Sequence, residues 1–477
     1  MVVLRGVRSA YCRGVTATEV APEAAPQARA PWVGLVGGLL LVVVSMTLPR
    51  LLDWQVYARA DPEEHGTVEP LHGFWDPQWF GPGTVPALLL AVAGVVWGPR
   101  LAARLPWRGL LLTTYAVGLA WMLSLALTDG RDGVSHVLAN PYEYFDTALA
   151  TDDVPAALRE YVERIPRDHP DNWPTHVAGH PPGALLVFVA MVRLGLDTTW
   201  TAGLAVTVLA ALAAPLVLVT LRALDAEAAA RRAAPFLALS PAAIFMCVSA
   251  DGMFAAFAAG GLAALALAAT ARRRGRSSAV LLGWSVLAGL VLGWCVMSSY
   301  GLPLLGLLAL AVLLAARGSW WPLPVAAAAA LAVVVSFVPF GYSWFEAYPV
   351  LKDRYWDGLA SDRPGTYWTW GNLGALLLSG GPLLAAGVAT VLVLLWQRRR
   401  TASALHPALV LPLAALLTVL VATASQMSRA EVERIWLPFI PWLTVSVAVL
   451  PPRWRAWGLG LQVLAALVVE TLLYTSW

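Results

Sequence analysis

The stretch WPTHVAGHPPGALL, residues 173–186, places two histidines and a proline pair at the mouth of an apolar run. Pro181 and Pro182 lack a backbone donor and suit the first turn of a helix. His176 and His180 then point from a rigid entrance toward water, where imidazoles can orient or protonate a ligand. A helix start with two solvated histidines accounts for the same residues. Asp129 and Asp132 directly follow an apolar span, with Gly130 and Gly133 allowing tight turns beside them. Partial burial at a helix end raises a carboxyl pKa toward that of a general base. Glu143 and Asp146, in EYFD, are a second pair able to supply that base. Asp251, in CVSADGMF, either caps the next helix or faces the same polar space.

Cations gather in two later segments. Lys352, the only lysine of the chain, Arg354 and Arg363 are interleaved with Tyr355, Trp356, Tyr367, Trp368 and Trp370. Aromatic rings at that spacing suit a membrane-interface belt, and equally a sugar face beside a phosphate. SQMSRAEVERIWLPFIPWL, residues 425–443, sets Arg429 and Arg434 at the entrance to a span. An arginine directly before an apolar run is costly unless paired, and its planar fork matches a phosphate. Asp152, Asp153, Glu160, Glu163, Asp168 and Asp171 read as ordinary solvated residues.

The elements that must hold these groups are membrane helices. The chain of 477 residues is 59% hydrophobic and 13% charged, about half the charge of a soluble protein. Apolar windows of about 20 residues, the length of a crossing, recur along it. The fold class expected is all-α, a polytopic helical membrane protein with roughly thirteen transmembrane helices plus a re-entrant or interfacial helix. Arginine-rich segments (Arg100, Arg104 and Arg108; Arg222, Arg231 and Arg232; Arg272, Arg273, Arg274 and Arg276; Arg398 to Arg400; Arg453 and Arg455) sort to the cytoplasm, and 52–83, 128–198, 340–373 and 425–434 to the outer side. That sorting puts the N-terminus inside and divides the chain into a disordered tail (1–30), an N-terminal hairpin (31–107) and a core (108–477). The apolar run after the tail is too long for a typical signal peptide and lacks a convincing cleavage site.

Residues 183–196 are short for a crossing and read as half-buried or re-entrant, with 199–221 as the true span. Backbone broken at that depth survives only beside protein or a water-filled cavity, so a polar cavity is expected there. VPAALREYVERI, residues 154–165, has the apolar face of a helix lying in the membrane interface. Cys12, Cys247 and Cys295 are too scattered for a disulfide framework or a zinc site.

The ordered series Asp129, Asp132, Glu143-Tyr144, HPPG (180–183), SAD (249–251), SYGLP (299–303) and ERIWLPFIPW (433–442) resembles the membrane glycosyltransferases of the GT-C superfamily. Protein O-mannosyltransferases and the aminoarabinose and galacturonosyl transferases of lipid A belong there. The resemblance spans about residues 108 to 450; the whole chain is similar to a group of actinobacterial integral membrane proteins.

The resemblance implies transfer of a sugar, with inversion, from a polyprenyl-phosphate carrier to a hydroxyl of a glycan, lipid or protein acceptor. The reaction would run on the outer face of the plasma membrane, with no nucleic acid involved. Asp129 or Asp132 would be the base. Arg434, with Arg429, Arg354 or Lys352, would hold the departing phosphate, and His176, His180, Asp251 and Tyr300 would bind substrate. No cofactor is required, and a divalent Mg or Mn at the acids is compatible. The match departs from the family's pattern where Gly130 and Arg131 separate the two aspartates. Rival readings are a transporter or flippase of lipid-linked sugars, and a non-catalytic cell-envelope assembly protein. The first favours internal repeats, which are not apparent here; the second expects Asp129, Asp132 and Arg434 not to converge.

Overall fold

A computed structural model describes residues 25–59 and 66–475; most of the N-terminal tail lies outside them. The protein is a helical, multi-pass membrane protein. Among the described residues, nine helices are long and apolar enough to cross a bilayer. A tenth candidate is the pair Gly365–Gly380 and Leu383–Arg398, bent by 109° at its break. Gly183–Arg193, Leu302–Ala316 and Ile440–Val449 are apolar but shorter. The difference from roughly thirteen expected crossings lies in such short or broken segments. Leu40, Leu89, Leu112 and Trp396 leave their side chains exposed along the spans, as residues facing lipid do.

Small residues let the central helices approach closely. The Ala250–Thr270 helix is buried along most of its length. Beside it, Ser278–Ser298 packs on Pro322–Val335 through Gly289 and Gly293. A methyl group at Gly289 would stand 2.2 Å from the Ala326 carbonyl oxygen, and one at Gly293 2.8 Å from the Ala330 Cα. Without a hydrophobic drive between helices in lipid, such close backbone contact carries the association. The first helix, Ala25–Leu51, packs on the bent pair, whereas Thr84–Arg104 packs on Trp107–Ala126.

Loop contacts divide the molecule into two faces. On one, Arg231 Nη1 donates to the carbonyls of Ala102 and Leu105, both at 2.9 Å, and Arg273 and Arg274 pair with Asp225. On the same face, Ser319 N donates to Ala269 O at 3.1 Å. On the other face, His72 N donates to Glu433 Oε1 at 2.9 Å, and Arg363 reaches Tyr57 O at 2.9 Å. The strand Gly73–Trp75 pairs antiparallel with Leu473–Thr475 there, tying the end of the last helix to the 66–75 loop.

The Gly183–Arg193 helix begins and ends on that second face. Its last residue, Arg193, donates from Nη2 to Asp152 O at 2.9 Å, and Trp200 lies under the Arg131 guanidinium. Eleven residues span only about 16 Å. The candidate crossing is instead Thr199–Ala223, which opens on a Thr198–Thr201 capping box. The amphipathic segment 154–165 is helical only over Val154–Glu160, capped by Asp153. Its apolar residues Leu158, Tyr161 and Ile165 are buried against protein.

Candidate functional site

Each polar residue of the site is held by a local device the sequence supplies. Pro182 is the N-cap of the Gly183–Arg193 helix, and Gly183 meets the end of Ser278–Ser298 so closely that a Cβ would lie 2.4 Å from Met297 O. Asp251 does not cap its own helix. Ser249 does, accepting from Gly252 N at 3.1 Å, which leaves the Asp251 carboxylate free to turn inward. Arg434 sits on the turn Val432–Ile435, after Ala430 and Glu431 at φ +69° and +61°. Two consecutive left-handed residues with side chains are strained, at roughly 1–3 kcal/mol each. Asn372 holds this turn, donating to Ser428 O at 2.7 Å and accepting from Ala430 N at 3.2 Å.

Arg434, only 2% exposed, is the centre. Its Nη1 lies 3.6 Å from Glu143 Oε1 and 3.5 Å from Asp251 Oδ2. Its Nη2 lies 3.2 Å from His176 Nδ1 and 3.9 Å from Glu431 Oε2. With Nδ1 accepting from arginine, a neutral His176 carries its proton on Nε2, which faces Glu143 Oε1 at 3.5 Å. His180 approaches through Nδ1, which donates to His176 O at 2.8 Å and leaves Nε2 as an acceptor. Tyr144 stacks on Phe188 and meets His180 edge-on; its hydroxyl is buried with no hydrogen-bond partner among the described residues.

A second ring supports the first. Arg363 pairs with Glu431 at 3.0 Å and donates to Arg429 O at 2.6 Å, so the 426–434 loop is pinned to the 52–59 segment. Tyr161 donates to Val177 O at 2.9 Å and His180 O at 3.1 Å, fixing the histidine turn. Tyr161→Phe should leave two carbonyls without this donor and cost about 1–3 kcal/mol. Thermal unfolding in detergent measures it, and an unchanged midpoint would show that the turn does not depend on the bond.

Burial and charge set the protonation states. Burial pushes the Glu143 carboxyl up to about 7, against the pull of Arg434. Burial, helped by Arg434, holds His176 well below the usual imidazole range, and burial lowers His180 too. Burial alone would raise Glu431, but Arg363, His72, Arg434 and His176 outweigh it and keep this carboxyl below the usual range. Glu143, Asp251 and Glu431 thus share few cations, and a proton on Glu143 relieves the excess negative charge.

A group whose folded pKa is raised contributes stability in full below its unfolded value, and that stability is lost as pH rises through the folded one. Wild-type protein should therefore lose stability between about pH 5 and 7 relative to Glu143→Gln. Melting curves of both proteins across this range check the sign, and parallel curves would contradict it.

The other residues singled out in the sequence fall elsewhere. Asp129 has His136, Asp76 and Glu470 among its charged neighbours, and Asp132 O accepts from His136 Nδ1 at 2.7 Å. This group lies beside Tyr474, whereas the charges acting on Glu143 are Arg434, Asp251 and Glu431. Asp146 and Lys352 are exposed. Arg354 is buried and spends its donors on Ile165 O, Asn172 Oδ1 and Trp173 O. Arg429 gives its own to Gln426, Ala360 O and Arg363 O. The Tyr300 hydroxyl pairs with Tyr342 at 2.9 Å. Glu143, His176, His180, Asp251 and Arg434 are the ones brought together. Arg363, singled out with the aromatics around it, and Tyr144, of the Glu143-Tyr144 element, also join them; His72 and Glu431 do so without having been proposed as site residues.

Among the described residues, no group of three or more His, Cys, Asp or Glu side chains is arranged to hold a metal ion. Glu143 and Asp251 both face the Arg434 guanidinium, so a divalent cation would compete with a fixed positive charge. No known family model matches the chain. No curated protein is significantly similar to it in sequence.

Proposed function

We propose that this protein is a GT-C-type membrane glycosyltransferase of the plasma membrane, with its site on the extracytoplasmic face and Glu143 as the base. The observation carrying this reading is the convergence of Glu143, His176, Asp251 and Arg434, from four distant parts of the chain, on one buried cluster. A carboxyl near neutrality, beside a fixed guanidinium and two neutral imidazoles, suits proton abstraction next to a developing phosphate charge.

In the proposed reaction an acceptor hydroxyl on a glycan, lipid or protein attacks the anomeric carbon of a polyprenyl-phosphate sugar. A new C–O bond forms, the bond from that carbon to the phosphate oxygen breaks, and its electron pair leaves with the polyprenyl phosphate. The hydroxyl proton passes to Glu143. Arg434 faces the charge gathering on the phosphate, and His180 Nε2 accepts from the sugar or acceptor. Asp129 and Asp132 lie apart from Arg434, as the reading of a non-catalytic envelope protein expects, so the transferase reading rests on Glu143 and not on them.

The topology belonging to this reading has roughly thirteen crossings, an N-terminus in the cytoplasm and the arginine-rich face inside. It is supported by the alternation of loop contacts between the two faces, with Glu227–Val248, Leu302–Ala316, Ile440–Val449 and the bent pair each joining opposite faces.

The bent pair also favours a second reading, since transporters break helices at their binding sites. Protein reconstituted in vesicles with polyprenyl-phosphate hexoses and pentoses separates the two. Release of polyprenyl phosphate with a glycosylated acceptor supports the transferase; movement of the intact lipid across the bilayer, without bond cleavage, supports the transporter.

A further inference from the structure

A cavity of about 920 Å³ opens at the end of the first helix, between it, residues 66–69 and the end of the last helix. It shares no lining residue with the Arg434 cluster and owes nothing to the transferase reading. The geometry points to a binding site for a phospholipid whose head carries both a phosphate and a protonated amine, as phosphatidylethanolamine does.

The wall is apolar below and charged above. Met46 and Val468, one turn or more inside the ends of their helices, form its lower part, and Val468 is 45% exposed on a lipid-facing surface. Arg50 lies about 6 Å higher along the first helix than Met46, Asp53 follows the helix end, and Glu69 stands 3.4 Å from Arg50. That step suits acyl chains entering from the bilayer with their head at the interface, where Trp75, Trp79 and Phe80 are exposed as an aromatic belt.

The rim charges select the head. Arg50 donates from Nη2 to Thr67 O at 2.6 Å and lies 3.4 Å from Glu69 Oε2, yet leaves its side chain 55% exposed. Glu69 Oε2 is shut away from water and accepts no hydrogen bond among the described residues. One cation beside two carboxylates matches a phosphate at Arg50 with an ammonium donating to the exposed Asp53 and drawn by the charge of the enclosed Glu69, whose Oε1 accepts from Thr67 Oγ1 at 3.1 Å. A head with only negative charge would meet two carboxylates, and a quaternary ammonium has no N–H to give them. The volume is at the upper end of that of ordinary ligand pockets.

The test uses full-length protein stripped of lipid in detergent, then offered phosphatidylethanolamine, phosphatidylglycerol or phosphatidylcholine. Native mass spectrometry should show phosphatidylethanolamine bound at least tenfold more tightly than the others. Glu69→Gln should erase that preference. Val468→Trp, which fills the lower wall without touching the rim, should abolish binding of all three, and Glu143→Gln should bind as wild type does. Equal binding of the three lipids by wild-type protein, or an unaltered preference in both Glu69→Gln and Val468→Trp, would overturn the assignment.

Discussion

Glu143→Gln should reduce sugar transfer by about 10²- to 10⁴-fold, the contribution of a positioned general base. The amide keeps the shape of the carboxyl and cannot take a proton. His176 Nε2 still meets an oxygen acceptor and Arg434 keeps Asp251 and Glu431, so the variant should remain folded. Wild-type transfer should rise as pH passes about 7, where Glu143 becomes a carboxylate. Asp129→Asn and Asp132→Asn, assayed alongside, should lose far less activity. Full activity in Glu143→Gln with loss in either aspartate variant would move the base to the aspartate group.

The second large effect concerns the fold. Arg434→Met should destabilise the protein by about 3–5 kcal/mol, because removing one partner leaves buried carboxylates uncompensated. Glu143 and Asp251 are both under 5% exposed and both face this guanidinium. The expected result is a protein that unfolds early in detergent and recovers at acid pH, where the carboxyls take up protons. Lysine at 434 keeps the charge but not the fork, so it should unfold later than Met. If Arg434→Met melted like wild type at neutral pH, the cluster would carry no net stabilisation.

How far the sequence reveals this arrangement depends on the residue. Arg434 and the His-Pro-Pro-Gly turn are legible because a charge or a stiff polar turn beside an apolar run is costly unless something pairs with it. Membrane character is legible because runs of apolar residues report their own length. Candidate crossings made of broken pieces, such as 365–398, are harder to count, since no single helix reaches the required length. Which acid of the 129–182 loop meets Arg434 is not legible, although Asp251 stands out as a lone acid between two spans. Asp129 and Glu143 both follow the same span, and only the packing of the 129–182 loop turns one of them inward. The Arg363–Glu431 pair joins residues 68 apart in the chain and depends on two left-handed residues that no local pattern signals. Tyr144, marked in the sequence only as the neighbour of Glu143, is buried beside both histidines.

The proposed function requires this buried cluster to face the extracytoplasmic side and to admit a lipid phosphate, and cysteine labelling at the partly exposed His180 tests that most directly. His180→Cys, in a protein whose three natural cysteines are replaced, is treated on intact cells with a membrane-impermeant maleimide. The expected result is labelling from outside that added polyprenyl phosphate blocks. Labelling only from the cytoplasmic side of inverted vesicles, or labelling that the lipid phosphate leaves unchanged, would contradict it.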